Sequence, residues 1–502
     1  SSLLGDNRPL MVVDGIPIQD DNFQTGDELN RQVDAGNRAN DINPEDIESI
    51  SILKGPAAAA LYGSRASNGA VMITTKSGKA LKGSGKNLSM TFSSGMTFET
   101  PLKLPEFQNQ FGQGLPFFLH DLRENTSWGA PFDGVVRPWG YAIDGEQRVK
   151  PYVGLEDNVR EFFDIGHTYT NNFSLAGNQD KTAYYFSFGN VKQTGIIPGT
   201  EYNRYSFKVS ASTELSNHVS SSASVIYSKS NGDLSIQGQN TALSPWENII
   251  QTPRDISLLE LKDYKNKFND LDGYYSPYTN NPWYTLNENS YENAVDHLIG
   301  NVQLNYKPLE WLTFDYRLGT DFYADNREEI HAIAKTNPAS PRFADGSIDY
   351  PGFYQASELT GREINSDLTA TIKRSINKDL KFSFILGQNV NERRNTSLIS
   401  TAPQLIIPNF YNLSGVNGNT TTANALNIRR LWGVYGSLAF DYKNFLFLEL
   451  TGRNDHSSTL PIDNNSYFYP SANLSFVFTD AFKLSNKVLS FGKIALSYAR
   501  VG

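Results

Sequence analysis

The chain contains no cysteine and no apolar run approaching the roughly 20 residues that a helical membrane span needs. The first absence excludes disulfides, so hydrogen bonding and packing must hold the molecule together. The second excludes membrane helices but not a membrane. A barrel strand shows lipid only every other residue, so its average hydropathy stays near neutral, and the mean hydropathy of -0.43 fits that case. Catalytic and metal signatures are missing too. The 6 histidines are scattered, without HExxH or any pair at metal-ligand spacing, and there is no GxSxG elbow. Gly83-Ser84-Gly85-Lys86 matches only the end of a phosphate loop, with Ala80 where the leading Gly belongs and Asn87 in place of Ser or Thr; it reads as a linker. Asp270-Leu271-Asp272-Gly273 could offer oxygens to calcium but lacks the remaining ligands, and a polar turn is the plainer reading. The net charge of -9 argues against nucleic acid as a partner. The expectation is therefore a non-enzymatic protein with no cofactor and no metal.

What is present is alternation. At 502 residues the chain can hold two or more domains, and after Lys86 it becomes a series of segments of roughly ten residues with a period of two. Leu312, Phe314, Tyr316, Leu318 and Phe322 share one face; Thr313, Asp315, Arg317, Gly319 and Asp321 share the other. Trp432, Val434, Leu438, Phe440 and Tyr442 alternate with Gly433, Tyr435, Ser437, Ala439 and Asp441. Tyr205, Phe207 and Val209 alternate with Ser206, Lys208 and Ser210. About thirteen strands follow, near 87–98, 170–177, 182–194, 203–214, 219–230, 298–307, 311–325, 362–375, 379–392, 430–442, 444–455, 470–479 and 489–501. A soluble sandwich would also alternate. However, connections 99–169, 231–297, 326–361 and 393–429 are long, and they alternate with short links at 178–181, 215–218, 307–310, 376–378 and 443. Sorting of loop length by parity, together with 12% aromatics, is the mark of an outer-membrane barrel, with long loops outside and short turns inside. Two connections fit less well: 195–202 is short on the outer side and 480–488 long on the inner side. Bacterial single-chain barrels have even strand numbers, and an open edge in lipid leaves backbone groups unpaired. The fold class expected is all-β: an antiparallel transmembrane barrel, incomplete at about thirteen strands.

Residues 42–76, INPEDIESISILKGPAAAALYGSRASNGAVMITTK, have another character. Asn43-Pro44-Glu45-Asp46 is a helix start, with a capping Asn, Pro at the first helical position and acids in the first turn. Ile47–Leu53 is strand-like, Gly55-Pro56 breaks it, and Ala57–Tyr62 leaves room for about two helical turns before Gly63. Ser67-Asn68-Gly69 then turns the chain into a second apolar strand, Ala70–Thr75.

This stretch resembles the plug domain of TonB-dependent outer-membrane transporters. With PLMVVDGIPI (residues 9–18) upstream and the LYGSRASNGAVMITTK ending, it is similar to the SusC/RagA type. NNFSLAGNQDKTAYYFSFGNVKQTGIIPGTEYNRYSF (171–207) and FLELTGRNDHSS (447–458) resemble barrel segments of that family. The resemblance implies an α+β plug portion over 1–80, a linker at 81–86 and barrel over 87–502, as a central piece of a longer outer-membrane protein. It also implies active import of a large nutrient, an oligosaccharide first. An oligopeptide, a passive porin, or a non-transporting assembly or secretion component on the same scaffold are the alternatives. The implied partners are a SusD-like surface lipoprotein, the TonB–ExbB–ExbD complex and outer-membrane lipid.

Two sets of candidate site residues follow. A plug must be fastened yet movable, and buried charge pairs fix geometry at little net stability. Glu48, Lys54 and Arg65 flank the plug's glycine turns, and Glu449 and Arg453 point inward by parity, opposite Leu446, Leu448 and Leu450. Family members commonly carry Arg at the position of Lys54, so Lys weakens a bidentate latch there. Four of the 6 Trp lie in the two longest connections, and Trp128, Trp139, Trp246 and Trp283 are candidates for stacking on sugar rings. The alternative is that these Trp pin the loops together.

Overall fold

The computed structural model describes residues 7–20, 24–25, 33–53, 62–81, 87–117, 120–238, 243–484 and 489–500. Lys54 and most of the helix expected at 57–62 lie outside the described residues.

The N-terminal part is a small mixed sheet. Strand β1 (Leu10–Val13) pairs antiparallel with β2 (Ile16–Pro17). The short pair β3 (Gln24–Thr25) and β4 (Val33–Asp34) stands apart. Strand β5 (Ile47–Leu53) lies antiparallel to β6 (Ala70–Thr75), which runs parallel to β1, giving the order β2-β1-β6-β5. The Asp14-Gly15 turn between β1 and β2 has positive φ at both residues, 49° and 83°, as a type I′ hairpin requires. Asp14 also accepts the Thr75 backbone N–H at 2.8 Å, so this one turn ties β1 to β6. The expected helix start survives as a single 3-10 turn, Pro44–Asp46, with Asn43 Oδ1 accepting the Glu45 N–H at 3.1 Å.

The rest is one antiparallel sheet with a loop-bound ribbon. After β7 (Leu88–Glu99) come the ribbon strands β8 (Val136–Pro138) and β9 (Val149–Pro151). Then follow β10 (Gly166–Gln179), β11 (Thr182–Thr194), β12 (Glu201–Glu214), β13 (Val219–Leu234), β14 (Asn289–Leu309) and β15 (Leu312–Ala334). The series ends with β16 (Tyr350–Ser375), β17 (Leu380–Ala402), β18 (Thr421–Tyr442), β19 (Leu446–Ser457), β20 (Ser466–Val477) and β21 (Lys493–Ala499). Leaving out β8 and β9, these form a 13-stranded meander in sequence order from β7 to β21. The thirteen expected strands are these thirteen. Several extend further on the long-loop side than alternation indicated: β15 was expected to stop at 325 and reaches Ala334.

The two faces are as parity demands. On β12, Lys208 is 1% exposed whereas its neighbour Val209, on the other face, is 53% exposed. Phe314, Tyr316, Leu318 and Phe322 of β15 are all exposed outward, while Asp321 is fully buried against the plug. The outward aromatic and aliphatic surface suits lipid. Inward, Gly319 has Ile16 of the plug where a side chain would stand, so the wall is bare there to admit the plug.

Candidate functional site

The plug meets the barrel wall through two kinds of contact. One is a modest apolar seam in which Val13, Ile18, Ile42 and Ile73 of the plug pack with Ile226 and Ile299 of the wall. The other is a set of buried charges. His297 on β14 sits between two carboxylates, with Nδ1 3.0 Å from Asp41 of the plug and Nε2 2.6 Å from Asp321 of β15. A ring held between two acceptors donates from both nitrogens, which the imidazolium does. The second oxygen of Asp321 accepts the Gln19 backbone N–H at 2.7 Å, so one wall carboxylate reaches two plug segments, Gln19 directly and Asp41 through His297. Arg38 of the plug lies 3.4 Å from Asp41 and 4.0 Å from Asp325, which Arg327 clamps at 2.6 Å. Arg38, His297 and Arg327 thus face Asp41, Asp321 and Asp325, three cations against three anions, all buried.

Around the wall the same idea recurs in single contacts. Lys208 donates to the Lys76 carbonyl at 2.6 Å, and Tyr185 Oη donates to Asp46 at 2.9 Å. Asn43 donates to Asn172 at 2.9 Å, and Arg204 donates to the Asn40 carbonyl. Arg317 underlies the Asp14-Gly15 turn; a side chain at Gly15 would occupy the guanidinium's place. The Val-Asp-Gly motif therefore shapes a hairpin, anchors β6 and admits a wall arginine at once.

Of the expected latch residues, Arg65 is bound to the wall, but its partner is Glu363 of β16 at 2.7 Å, not Glu449 or Arg453. Arg453 pairs along its own strand with Asp455 at 2.7 Å, and both lie against Gly63, two residues from Arg65. It thus approaches the expected region of the plug. Glu449 is exposed, accepts from Ser437 at 3.2 Å and lies toward the turn-side end of β19, away from the plug contacts described. Glu48 is exposed on the lumen side, in the field of Lys208. Asp41, His297, Asp321, Arg38 and Glu363 were not singled out from sequence. Parity had placed Asp321 inward, but nothing in sequence pairs it with a histidine at the edge of an expected strand.

The long loops form a second assembly on the loop side. Trp139, Val159 and Phe162 from the first long loop pack with Ile249, Ile256, Leu258, Leu261, Tyr274, Tyr275 and Trp283 from the second. Trp283 Nε1 donates to the Leu258 carbonyl at 2.7 Å, its ring lies 4.6 Å from Phe162, and the Arg148 guanidinium stacks 3.6 Å over Trp139. Burial pushes Arg148 down to about 10 and lowers Lys150, which Asp255 offsets at 2.7 Å. Arg342, from the loop after β15, donates to the carbonyls of Leu271, Ser276 and Thr279 and to Asn280, closing the assembly. The proposed sugar-stacking role of Trp139 and Trp283 is corrected here: both are 3% exposed, because their rings form the core that holds two loops together. Trp128 and Trp246 remain exposed, at 65% and 38%. Asp270 caps the N–H groups of Asp272 and Gly273, and Asp272 accepts from Asn337, so this acidic run is a structural turn.

Comparison with known proteins agrees with this architecture. Residues 3–70 match the model of the TonB-dependent Receptor Plug Domain. TonB-dependent receptor P26 of Formosa agariphila is 24% identical over the whole chain, which covers 46% of that protein. TonB-dependent receptor SusC of Bacteroides thetaiotaomicron is 34% identical over 138 residues, 26% of this chain and 12% of the relative. Among solved structures, the RagAB peptide importer in its open-open state superposes with a TM-score of 0.73 at 16% identity, over 98% of this chain and 53% of that one. The chain thus spans about half the length of the relatives it matches. Plug, wall and sequence are together similar to those of SusC/RagA-type TonB-dependent transporters, which are outer-membrane β-barrels.

Proposed function

We propose that this chain serves energy-coupled import of a large oligomeric nutrient across the outer membrane. A TonB–ExbB–ExbD complex is the motor and a SusD-like lipoprotein the lid. The observation that carries this reading is the charge-balanced network joining Asp41 and Arg38 of the plug to His297, Asp321 and Asp325 of the wall. Such a contact fixes the plug in one place but gains little over its hydrated parts, so a pull on the plug can part it. A passive pore has no use for a plug fastened in this way. Uptake by intact cells is the test. Uptake that stops when the proton-motive force is dissipated supports the reading. Uptake that persists speaks for a passive pore, and none at all for an assembly or secretion component.

The substrate class proposed is an oligosaccharide, with Trp128 and Trp246 as the loop aromatics open to a sugar face. A second reading, oligopeptide import, draws on the description of RagAB as a peptide importer and on the burial of Trp139 and Trp283. Competition between oligosaccharide and oligopeptide pools for uptake separates the two.

A further inference from the structure

On the lumen face of β12, β13 and β14 the wall changes character from the loop side to the turn side. One rung of the ladder is Lys208, Ile226 and Ile299. Here Ile226 and Ile299 meet Val13 and Ile73 of the plug in the apolar seam, and Lys208 is engaged by the Lys76 carbonyl. The next two rungs toward the turns are Ser210, Ser224 and Asn301, then Ser212, Ser222 and Gln303. None of these six side chains is charged, and here plug and wall draw apart. A cavity of about 620 Å³ lies between these six residues and Ile73–Lys76 of the plug. A second cavity, of about 390 Å³, shares Ser212, Ser222 and Gln303 with the first and continues to the short turn at Lys181.

The lining offers hydrogen bonds of both senses. Ser210 faces the first cavity and is only 8% exposed, yet its Oγ has no partner among the described residues. Asn301 donates to Ser224 at 2.9 Å, which leaves the Ser224 hydroxyl as a donor. The charged groups around this cavity are those of the plug, Asp14, Glu48, Lys76 and Lys79, together with Arg317 at the Gly15 edge. The neighbouring cavity round the wall, of about 290 Å³, is of another kind, since Asp315, Arg317 and Asp367 line it. Serine hydroxyls and side-chain amides can replace water for a sugar hydroxyl, bond for bond. A charged chain would lose hydration against these two rungs and gain no counter-charge from them.

We propose that the imported solute leaves the lumen through this sector. The exit path runs between β6 of the plug and strands β12, β13 and β14, and the Ile226–Ile299 seam is its gate. Its neutral lining passes an uncharged, polyhydroxylated chain in preference to a charged one. This rests on the import reading and deepens it with a route and a solute class.

The test is passive flux through the purified full-length transporter in liposomes. It needs no motor, so its failure leaves the test by proton-motive force untouched. The probes are maltotriose, triglutamate and trilysine. Ile226→Ser combined with Ile299→Ser removes the seam. It should raise maltotriose flux at least about tenfold over the unaltered protein, with both charged trimers at least about tenfold slower than maltotriose. In that background a bulky maleimide adduct on Ser222→Cys should abolish the leak, whereas the same adduct on Thr369→Cys, beside the charged cavity, should leave it. If the double variant does not fold, Ile226→Ala takes its place, with a smaller leak, the same order of probes and the same block. A folded variant that stays tight, a leak indifferent to the adduct at position 222, or equal passage of the three probes overturns the proposal.

Discussion

The plug–wall contact and the loop assembly are both buried, yet they are built from opposite materials. The loops are joined by ten buried apolar or aromatic side chains, with Asn158 and Arg342 tying their backbones together. The plug is joined to the wall largely by balanced charges and by hydrogen bonds to carbonyls, with Ile226, Ile299 and Tyr291 supplying apolar wall surface among the described residues. Under the proposed import function, the difference follows from what each must do. An apolar core is worth about 25 cal/mol per Å² of area withheld from water and has no cheap open state. Ion pairs exchange protein partners for water at little net cost, and they specify position well. A joint that stays shut takes the first form; a joint that parts takes the second.

Mutations can break this contrast. Trp283→Ala should cost the loop assembly about 3–5 kcal/mol, as large-to-small changes in a packed aromatic core do. Limited proteolysis should then cut within 235–288, while the plug keeps its protection. Asp321→Ala should cost the plug contact a similar amount, about 3–5 kcal/mol, because it strands His297 and the Gln19 N–H. Here proteolysis should strike the plug and spare the loops. Leu438→Arg on the lipid face should cost about 2–4 kcal/mol if near the bilayer midplane, read as a loss of folded barrel in lipid, whereas a polar change at Ser437 on the lumen face should be tolerated. Arg123→Ala, which removes an exposed pair with Asp345, should cost less than about 1 kcal/mol in thermal unfolding. Trp128→Ala should leave stability within about 0.5 kcal/mol, so that any loss of glycan binding reports on recognition alone.

Much of this was legible in the sequence, for a physical reason. A strand with lipid on one side and a plug on the other must alternate, so the thirteen wall strands and their inward residues could be read directly. Their upper ends could not. Beyond lipid the outward positions turn polar, as at Asn326 and Glu328, while Asp325, Arg327 and Glu329 continue the buried face. The expected end of β15 at 325 fell where the lipid signal stops. Parity also says that a side chain points inward without saying what it meets. Arg65 and Glu363 are 298 residues apart, and no local pattern joins them. The burial of Trp283 was hidden for the opposite reason: Asn281-Pro282 looks like an exposed turn, yet Asn281 caps the helix Pro282–Glu288, which carries Trp283 into the core.

The most direct measurement is hydrogen exchange on the full-length transporter, comparing the unaltered protein with His297→Gln. That change keeps a polar side chain between Asp41 and Asp321 but removes the charge that both carboxylates face. Amides of 38–46 and of β6 should exchange faster, while those of the loop core over 252–285 and of the central wall strands stay as slow as before. If the loop core loosens together with the plug, or if the plug amides do not change, the plug is not held by this charge network.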